Sequence, residues 1–169
     1  MATNQLIVFR HAKSDRPPGM PDEKRPLSAR GRVDAAAAGE ALNEIAPSID
    51  LVVSSPAQRA RETWERASAT YSGEPDLRID DRVYEADVAD LMAVLQSLPV
   101  DARVVVLVGH NPGLEDLVEE LAGTADKNAR AQLDEKFPTS AIAVLEASTA
   151  WAELQGGGAY LASLTIPRG

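Results

Sequence analysis

The chain has 169 residues, 44% of them apolar and 25% charged, which is enough apolar content for the core of one domain and excludes general disorder. Its net charge of −9 argues against nucleic acid or an anionic membrane as partner, because binders of either usually have a basic surface. The absence of cysteine excludes disulfides, thiolate metal sites and cysteine nucleophiles. We interpret residues 1–169 as a single domain.

The start of the chain and its apolar segments bear on location. Residues 1–15 lack a basic segment followed by a long apolar stretch, and no apolar run approaches the length of a membrane span. We therefore expect a cytoplasmic protein without a membrane partner. Nothing in the sequence demands a dimer, so a monomer is sufficient.

The first half of the chain alternates apolar strands with amphipathic helices. Residues 5–9 and 50–54 are short apolar runs typical of buried strands, and a polar, proline-rich loop occupies residues 14–27. Ser28 predicts a helix cap, and Ser55 followed by proline predicts the start of the next helix. Helical spacing predicts the inner faces Val33, Ala37, Ala41 and Ile45 for the first helix and Ala60, Trp64, Ala67 and Tyr71 for the second.

The second half continues this alternation and ends in a hairpin. Its candidate elements are a strand at 77–79, a helix capped by Asp87, a strand at 103–108, a helix begun by Asn111 and Pro112, and two strands within 140–166. The last two strands flank a glycine-rich turn, which predicts an antiparallel pair. Together the elements predict an α/β fold, a three-layer α/β/α sandwich with a mainly parallel central sheet and a C-terminal antiparallel hairpin.

Basic side chains follow three strands of the predicted sheet. Arg10 and His11 come directly after the first strand, Arg59 lies in the helix after the second, and His110 follows the strand at 103–108. Because ligands of parallel sheets bind at the carboxyl ends of the strands, we expect these four side chains to share one crevice. The helix start after His110 adds free N–H groups, and arginine suits phosphate oxygens. The pattern predicts a pocket for a phosphoryl group.

Each of these residues also has a purely structural interpretation. A single histidine at a strand end is more often a surface or capping residue than a catalyst, and Arg59 on a polar helix start is also typical of a solvated side chain. The joint arrangement favours function, because the chain has only two histidines and each follows an apolar strand. Paired histidines also suggest zinc, but HExxH and nearby ligand carboxylates are missing, so we expect no metal.

Other phosphoryl-transfer chemistries lack their residues. The sequence contains no GxxxxGK[ST] loop, no Asp-x-Asp after a strand and no GxSxG nucleophile motif. Histidine remains as the nucleophile, and we expect no cofactor.

Five segments support a family resemblance: LIVFRHAKSD (6–15), KRPLSARGR (24–32), SSPAQRARET (54–63), VGHNPGLEDL (108–117) and KFPTSAIAVLE (136–146). In these segments the chain resembles the histidine phosphatase superfamily, and within it the small SixA-type bacterial phosphohistidine phosphatases. The superfamily hallmark Arg-His-Gly, the RHG motif, reads Arg10-His11-Ala12 here, a variant common in that branch.

The resemblance implies catalytic roles for the pocket residues. His11 would attack phosphorus and become transiently phosphorylated, and water would then hydrolyse the phosphohistidine. Arg10, Arg59 and His110 would bind the substrate's phosphoryl oxygens and stabilise the transition state. Glu85 is the candidate proton donor for the leaving group, and a solvated loop acid is the equal alternative.

Residues around the pocket complete the expected site. Asn111 either orients His110 beside the substrate or caps the next helix, and we favour the cap. Lys13, Ser14 and Arg16 are candidate donors at the pocket rim.

The expected function is metal-independent hydrolysis of a phosphoryl group, carried by a phosphohistidine on a protein or by a small phosphoester. A non-catalytic phosphate-binding or regulatory domain is the alternative. A small phosphomutase is a further one, although mutase relatives are longer.

Overall fold

The computed structural model describes residues 3–169, and its strands form one seven-stranded sheet. The strands are β1 (Asn4–Arg10), β2 (Leu51–Ser54), β3 (Asp76–Ile79), β4 (Val104–Gly109), β5 (Ala122–Ala125), β6 (Ile142–Ala147) and β7 (Ala159–Thr165). The helices are α1 (Ala29–Ile45), α2 (Gln58–Thr70), α3 (Val88–Gln96), α4 (Gly113–Leu121) and α5 (Lys127–Glu135).

The sheet order is β3-β2-β4-β1-β6-β7-β5, with the four strands β3, β2, β4 and β1 parallel to one another. Strand β6 runs antiparallel to both of its neighbours, and β5 pairs in parallel with β7 at the edge. The predicted α/β fold, with its mainly parallel sheet and closing antiparallel hairpin, is confirmed.

Alternating side chains of the strands supply two separate cores. Leu6 and Val8 of β1 pack on the face covered by α3, α4 and α5, while Ile7 and Phe9 pack on the face covered by α1 and α2. A strand that is buried on both faces has a nearly continuous apolar sequence. This explains why residues 5–9 and 103–108 are apolar without alternation. The sheet therefore lies between two helical layers, as predicted for the α/β/α sandwich.

Two of the predicted helix starts are confirmed and two lie later in the chain. The Ser28 hydroxyl accepts a hydrogen bond from Gly31, and Asp87 forms a reciprocal capping box with Asp90. Helix α2 begins at Gln58 rather than after Ser55, and α4 begins at Gly113. The Ser55 hydroxyl instead contacts His110, a role described below.

The predicted inner face of α1 is wrong. Val33 is 48% exposed, and the buried apolar side chains of the helix are Ala35, Ala38 and Leu42. The reason is a close contact with α2, because a Cβ added at Gly39 would lie 2.0 Å from the carbonyl oxygen of Ala67. The face containing Gly39 must turn towards α2, which rotates Val33 towards solvent.

The segment from β5 to α5 has no counterpart in the predicted elements. Its short edge strand is mostly exposed, and α5 buries only Ala129 and Leu133, so the apolar periodicity is weak. Within residues 3–169, none of the helices is both long and apolar enough to span a bilayer.

Candidate active site

His11 follows β1 at the carboxyl edge of the sheet and is 7% exposed. Its Nδ1 lies 2.7 Å from the carbonyl oxygen of Ala12. Because a carbonyl only accepts, Nδ1 must carry the hydrogen, and the neutral ring keeps a free lone pair on Nε2. Burial lowers the pKa of His11 to about 3; the hydrogen bond to the Ala12 carbonyl opposes this shift, and coulombic interactions with the His110 ring and with Arg59 and Arg10 add to it. The ring is therefore neutral near pH 7, as a nitrogen nucleophile must be.

His110 follows β4, the strand that pairs in parallel with β1, and its ring centroid lies 5.2 Å from that of His11. Its Nε2 lies 2.8 Å from the Ser55 hydroxyl, while its buried Nδ1 has no partner within residues 3–169. Burial and the charge of Arg59 lower the pKa of His110 to about 4. The two histidines of the chain are thus neighbours, although 99 positions separate them in the sequence.

Arg10 and Arg59 bring positive charge to both rings. Arg10, the last residue of β1, donates from one terminal nitrogen to the Phe137 carbonyl at 3.0 Å, and its buried Nε has no partner in the described part of the chain. Arg59, in the first turn of α2, is 7% exposed and faces both histidines closely enough to lower their pKa values. Unused arginine donors beside two neutral imidazoles form a site suited to an anion.

A cleft of about 370 Å³ opens beside Arg59 and His110. The residues that line it are Arg59, Tyr84, Glu85, Ala86, Asp87, His110, Asn111, Pro112, Gly113 and Asp116. The start of α4 and the segment before α3 form two walls of the cleft. The two walls lie close together: a Cβ added at Gly113 would be 2.4 Å from the Ala86 carbonyl oxygen. This contact leaves no room for a side chain at Gly113, the second glycine of the Gly-His-Asn-Pro-Gly segment.

Asn111 makes the contacts expected of a capping residue. Its Oδ1 accepts from the backbone N–H of Glu115 at 3.2 Å, and its Nδ2 donates to the Phe137 carbonyl at 2.9 Å. The Phe137 carbonyl also accepts from Arg10, so Asn111 and Arg10 share a fixed acceptor. Asn111 therefore satisfies one backbone N–H in the first turn of α4, but it lies one position before the N-cap, which is Pro112 and not Asn111 as predicted.

Comparison with known proteins agrees with these features. The sequence model of one protein family, the histidine phosphatase superfamily (branch 1), matches residues 6–103. The uncharacterised protein ML1117 of Mycobacterium leprae is 36% identical over 166 residues, which cover 95% of this chain and 100% of that protein. The chain belongs to the histidine phosphatase superfamily.

Two solved structures assign this histidine phosphatase to the SixA-type branch. A proposed phosphohistidine phosphatase SixA from Nakamurella multipartitia has a TM-score of 0.85 at 29% identity, over 99% of this chain and 98% of that one. A second, from Agrobacterium tumefaciens, has a TM-score of 0.81 at 27% identity, over 97% and 98% of the two chains. The chain is therefore a hydrolase of the SixA-type branch.

The replacement of the hallmark glycine by Ala12 has a local reason. Ala12 is fully buried and packs with Leu27 and Ala35, so its methyl group fills a small core beneath the loop after β1. Its backbone N–H donates to the Thr63 hydroxyl at 3.0 Å, and Thr63 donates at 2.6 Å to the carbonyl of Arg59. Thr63 thus ties the His11 loop to the helical turn of Arg59.

Glu85 lies in the segment of this histidine phosphatase that faces the start of α4. It is an exposed residue with a left-handed φ of 53°, and it lines the same cleft as Arg59 and His110. The structure therefore places Glu85 in one cleft with two of the four predicted pocket residues, Arg59 and His110, while Arg10 and His11 are not among the residues that line it.

The three predicted rim residues are not among the residues that line this cleft. The Ser14 hydroxyl accepts from Arg25 at 2.6 Å, and Lys13 and Arg16 are exposed.

In the part of the chain that the structure describes, no group of three or more histidine or acidic side chains is arranged to hold a metal ion.

Four residues of the site were not predicted: Asp22, Ser55, Thr63 and Tyr84. Ser55 and Thr63 belong to the quoted segment SSPAQRARET, so the resemblance contained a signal for them. Asp22 contacts Arg59 from the proline-rich loop, and Tyr84 contacts Asp22 from a segment 62 residues away. No periodic pattern predicts contacts of that kind.

Proposed function

We propose that this histidine phosphatase is a metal-independent enzyme that transfers a phosphoryl group to Nε2 of His11 and then to water. The observation that supports it most directly is the hydrogen bond from Nδ1 of His11 to the Ala12 carbonyl, 2.7 Å long. That bond fixes the tautomer whose Nε2 has a free lone pair, and it holds the ring in one orientation.

The proposed first step is an in-line displacement at phosphorus. The Nε2 lone pair of His11 forms the N–P bond while the bond from phosphorus to the leaving group breaks with its electron pair. Arg10, Arg59 and His110 bind the phosphoryl oxygens, where negative charge collects in the transition state. Unused donors at Arg10 and the neutral ring of His110 support these roles.

The proposed second step regenerates the enzyme. A water oxygen attacks phosphorus, the N–P bond breaks, its electron pair returns to Nε2, and inorganic phosphate leaves. In the first step Glu85 would give a proton to the leaving group, and in the second it would take one from water. Its position on the cleft beside Arg59 and His110 supports this proposal over the solvated loop acid.

The substrate is proposed from the branch and from the cleft. SixA relatives are described as phosphohistidine phosphatases, which suggests a phosphohistidine on a protein as substrate. A cleft of about 370 Å³ is also large enough for a small phosphoester, since ligand pockets usually begin at about 300 Å³. A phosphohistidine needs less help from Glu85, because its leaving imidazole is protonated in advance.

A turnover panel tests this proposal. Wild-type protein is assayed against a phosphohistidine protein, free phosphohistidine, a sugar phosphate and an aryl phosphate, each with Glu85→Gln alongside. We expect hydrolysis of at least one phosphodonor, and about a 100-fold loss in Glu85→Gln for the ester with the most basic leaving group. The loss should be small for phosphohistidine. Tight phosphate binding without turnover of any member would favour the non-catalytic phosphate-binding domain instead.

A further inference from the structure

Asp22 brings a carboxylate against a pocket arginine. It lies in a short 3-10 turn, residues 22–24, of the loop between β1 and α1. One terminal nitrogen of Arg59 donates to the Asp22 backbone oxygen at 2.8 Å, and the other donates to its Oδ2 at 3.1 Å. The Arg59 side chain is 8% exposed and that of Asp22 is 50% exposed, so Asp22 meets the guanidinium from the solvent side.

The geometry of this contact leaves part of Arg59 free. Both bonds use the two terminal nitrogens, which form the end-on fork of the guanidinium. Nε has no partner among residues 3–169, so the side-on fork of Nε and one terminal N–H is available for a phosphoryl group. An arginine held at one fork binds an anion at the other with little loss of rotamer freedom.

The same carboxylate joins two loops. The Tyr84 hydroxyl donates to Oδ2 of Asp22, and Arg25 donates to Oδ1 at 3.0 Å. The Tyr84 ring also packs edge to face on His110, with centroids 5.7 Å apart and planes at 78°. Asp22 and Tyr84 therefore connect the loop after β1 to the segment before α3, and they touch one pocket residue each.

We propose that Asp22 is a positioning residue of this enzyme: it holds Arg59 by its end-on fork and Tyr84 against His110, so that both face the phosphoryl group in one fixed arrangement. The inference rests on the proposed function. It assigns a role to the loop of residues 14–27 as the outer wall of the phosphoryl site.

A carboxylate beside an anion site has two opposite effects. It aligns Arg59 for the transition state, and its charge repels the phosphoryl group in the ground state. Replacing Asp22 by asparagine removes the repulsion and loosens the arginine, so a positioning residue predicts a lower kcat together with tighter binding of inorganic phosphate. A carboxylate that merely blocks the arginine predicts a higher kcat.

The hydrogen bond also gives a spectroscopic signal. Donation to Asp22 raises the pKa of Tyr84 to about 12 and holds the pKa of the Asp22 carboxyl well below its usual range. The chain has only three tyrosines, so an ultraviolet titration of tyrosinate resolves one phenol that moves towards its ordinary pKa of about 10. This readout reports the Tyr84–Asp22 contact without any substrate.

The experiment compares Asp22→Asn and Tyr84→Phe with wild type and with Glu23→Gln, a neighbouring exposed residue that loses the same charge. We expect Asp22→Asn to lower kcat about tenfold, to lower the inhibition constant of phosphate about threefold, and to bring one tyrosine back towards its ordinary pKa. Tyr84→Phe should lower kcat by less and leave phosphate inhibition unchanged. Glu23→Gln should match wild type.

Each result has one meaning. An unchanged or higher kcat in Asp22→Asn, with the tyrosine titration shifted, would overturn the positioning role. Equal losses in Glu23→Gln would overturn it as well, since they would show a general charge effect. A wild-type protein that hydrolyses no phosphodonor would refute the proposed function instead, while the tyrosine titration would still report the Tyr84–Asp22 contact.

Discussion

The two ends of the parallel strands differ in how their polar groups are satisfied. At the amino ends, the Asp50 carboxylate accepts from the backbone N–H groups of Arg103 and Val104 at 2.8 and 2.9 Å. Beside it, the indole of Trp151 donates to the Ala102 carbonyl at 2.6 Å. These contacts join β2, β4 and the segment before β7, and each polar group among them has a partner.

At the carboxyl ends, several buried polar groups lack a hydrogen-bond partner among residues 3–169. Arg10 Nε, His110 Nδ1 and Ser140 Oγ are all buried without a partner in the described part of the chain. Ser140 also has a left-handed φ of 67°, and its backbone N–H donates to the carbonyl of His11 at 3.0 Å. All three lie next to the two histidines.

The difference distinguishes polar groups that stabilise the fold from polar groups that are available to a ligand. A buried polar group without a partner costs about 1–3 kcal/mol, and a sequence selected only for stability would pair or remove it. Concentration of such groups around His11 and His110 is consistent with a site that holds a ligand with several acceptor oxygens. At the amino ends, by contrast, the Asp50 and Trp151 side chains have protein partners, as expected of groups that contribute to stability.

The largest effect should follow from removing a pocket cation. We expect Arg59→Ala to lower kcat about 100- to 1,000-fold, because one preorganised donor to the transition state is lost. Steady-state kinetics with the best phosphodonor of the turnover panel measures it.

The matched control is Arg61→Ala, two positions along α2, where the side chain is exposed. It should keep kcat within about twofold of wild type. Equal kcat values for the two variants would contradict a catalytic role for the carboxyl ends of the strands, because Arg59 would then contribute no more to turnover than the exposed Arg61.

A smaller effect should appear in the pH dependence of stability. The pKa values of His11 and His110, about 3 and about 4, lie below the ordinary 6.5. Between these values the unfolded state binds more protons than the folded state, so the free energy of unfolding decreases as pH falls from 6.5 towards 4. For His110 alone the loss at pH 5 is about 2 kcal/mol.

Urea unfolding at pH 7 and pH 5 measures this loss. His110→Gln, which cannot titrate, should lose less stability between the two pH values than wild type. Asp50→Ala at the other end should retain the wild-type pH dependence. A wild-type curve that is flat from pH 7 to pH 5 would show that the histidines are not held neutral by burial.

The smallest effect is expected at the amino ends. Asp50→Ala removes the acceptor of two backbone N–H groups, but water reaches this exposed position, so we expect a loss of about 1 kcal/mol in unfolding free energy. Its kcat should equal that of wild type. A loss of kcat larger than about tenfold would contradict the assignment of this end to stability.

The strand ends were predictable because their signals are local. An apolar run that stops at Arg10-His11 or at Gly109-His110 places those side chains at the carboxyl edge, whatever the rest of the fold does. Parallel strands end at the same edge of a sheet, so both histidines were expected there. For this reason the sequence alone was sufficient to predict that the two histidines share one crevice. That β1 and β4 are direct neighbours is a finding of the structure and was not predicted.

The helix face and the outer wall were not predictable in the same way. In the alanine-rich helix α1, two sets of residues have helical spacing, and the choice between them depends on the contact of Gly39 with α2. Asp22 and Tyr84 meet through two irregular segments, and each has a polar side chain that suits any surface loop. Tertiary contacts, rather than local patterns, determine both features.

Trapping of a phosphoenzyme tests whether His11 carries the phosphoryl group during turnover. Enzyme is mixed with labelled phosphodonor, quenched within the first turnovers, and the label on the protein is tested in acid and alkali. We expect an acid-labile, alkali-stable label on wild type that is absent from His11→Ala. An enzyme that turns over without becoming labelled, or a label that persists in His11→Ala, would contradict this expectation.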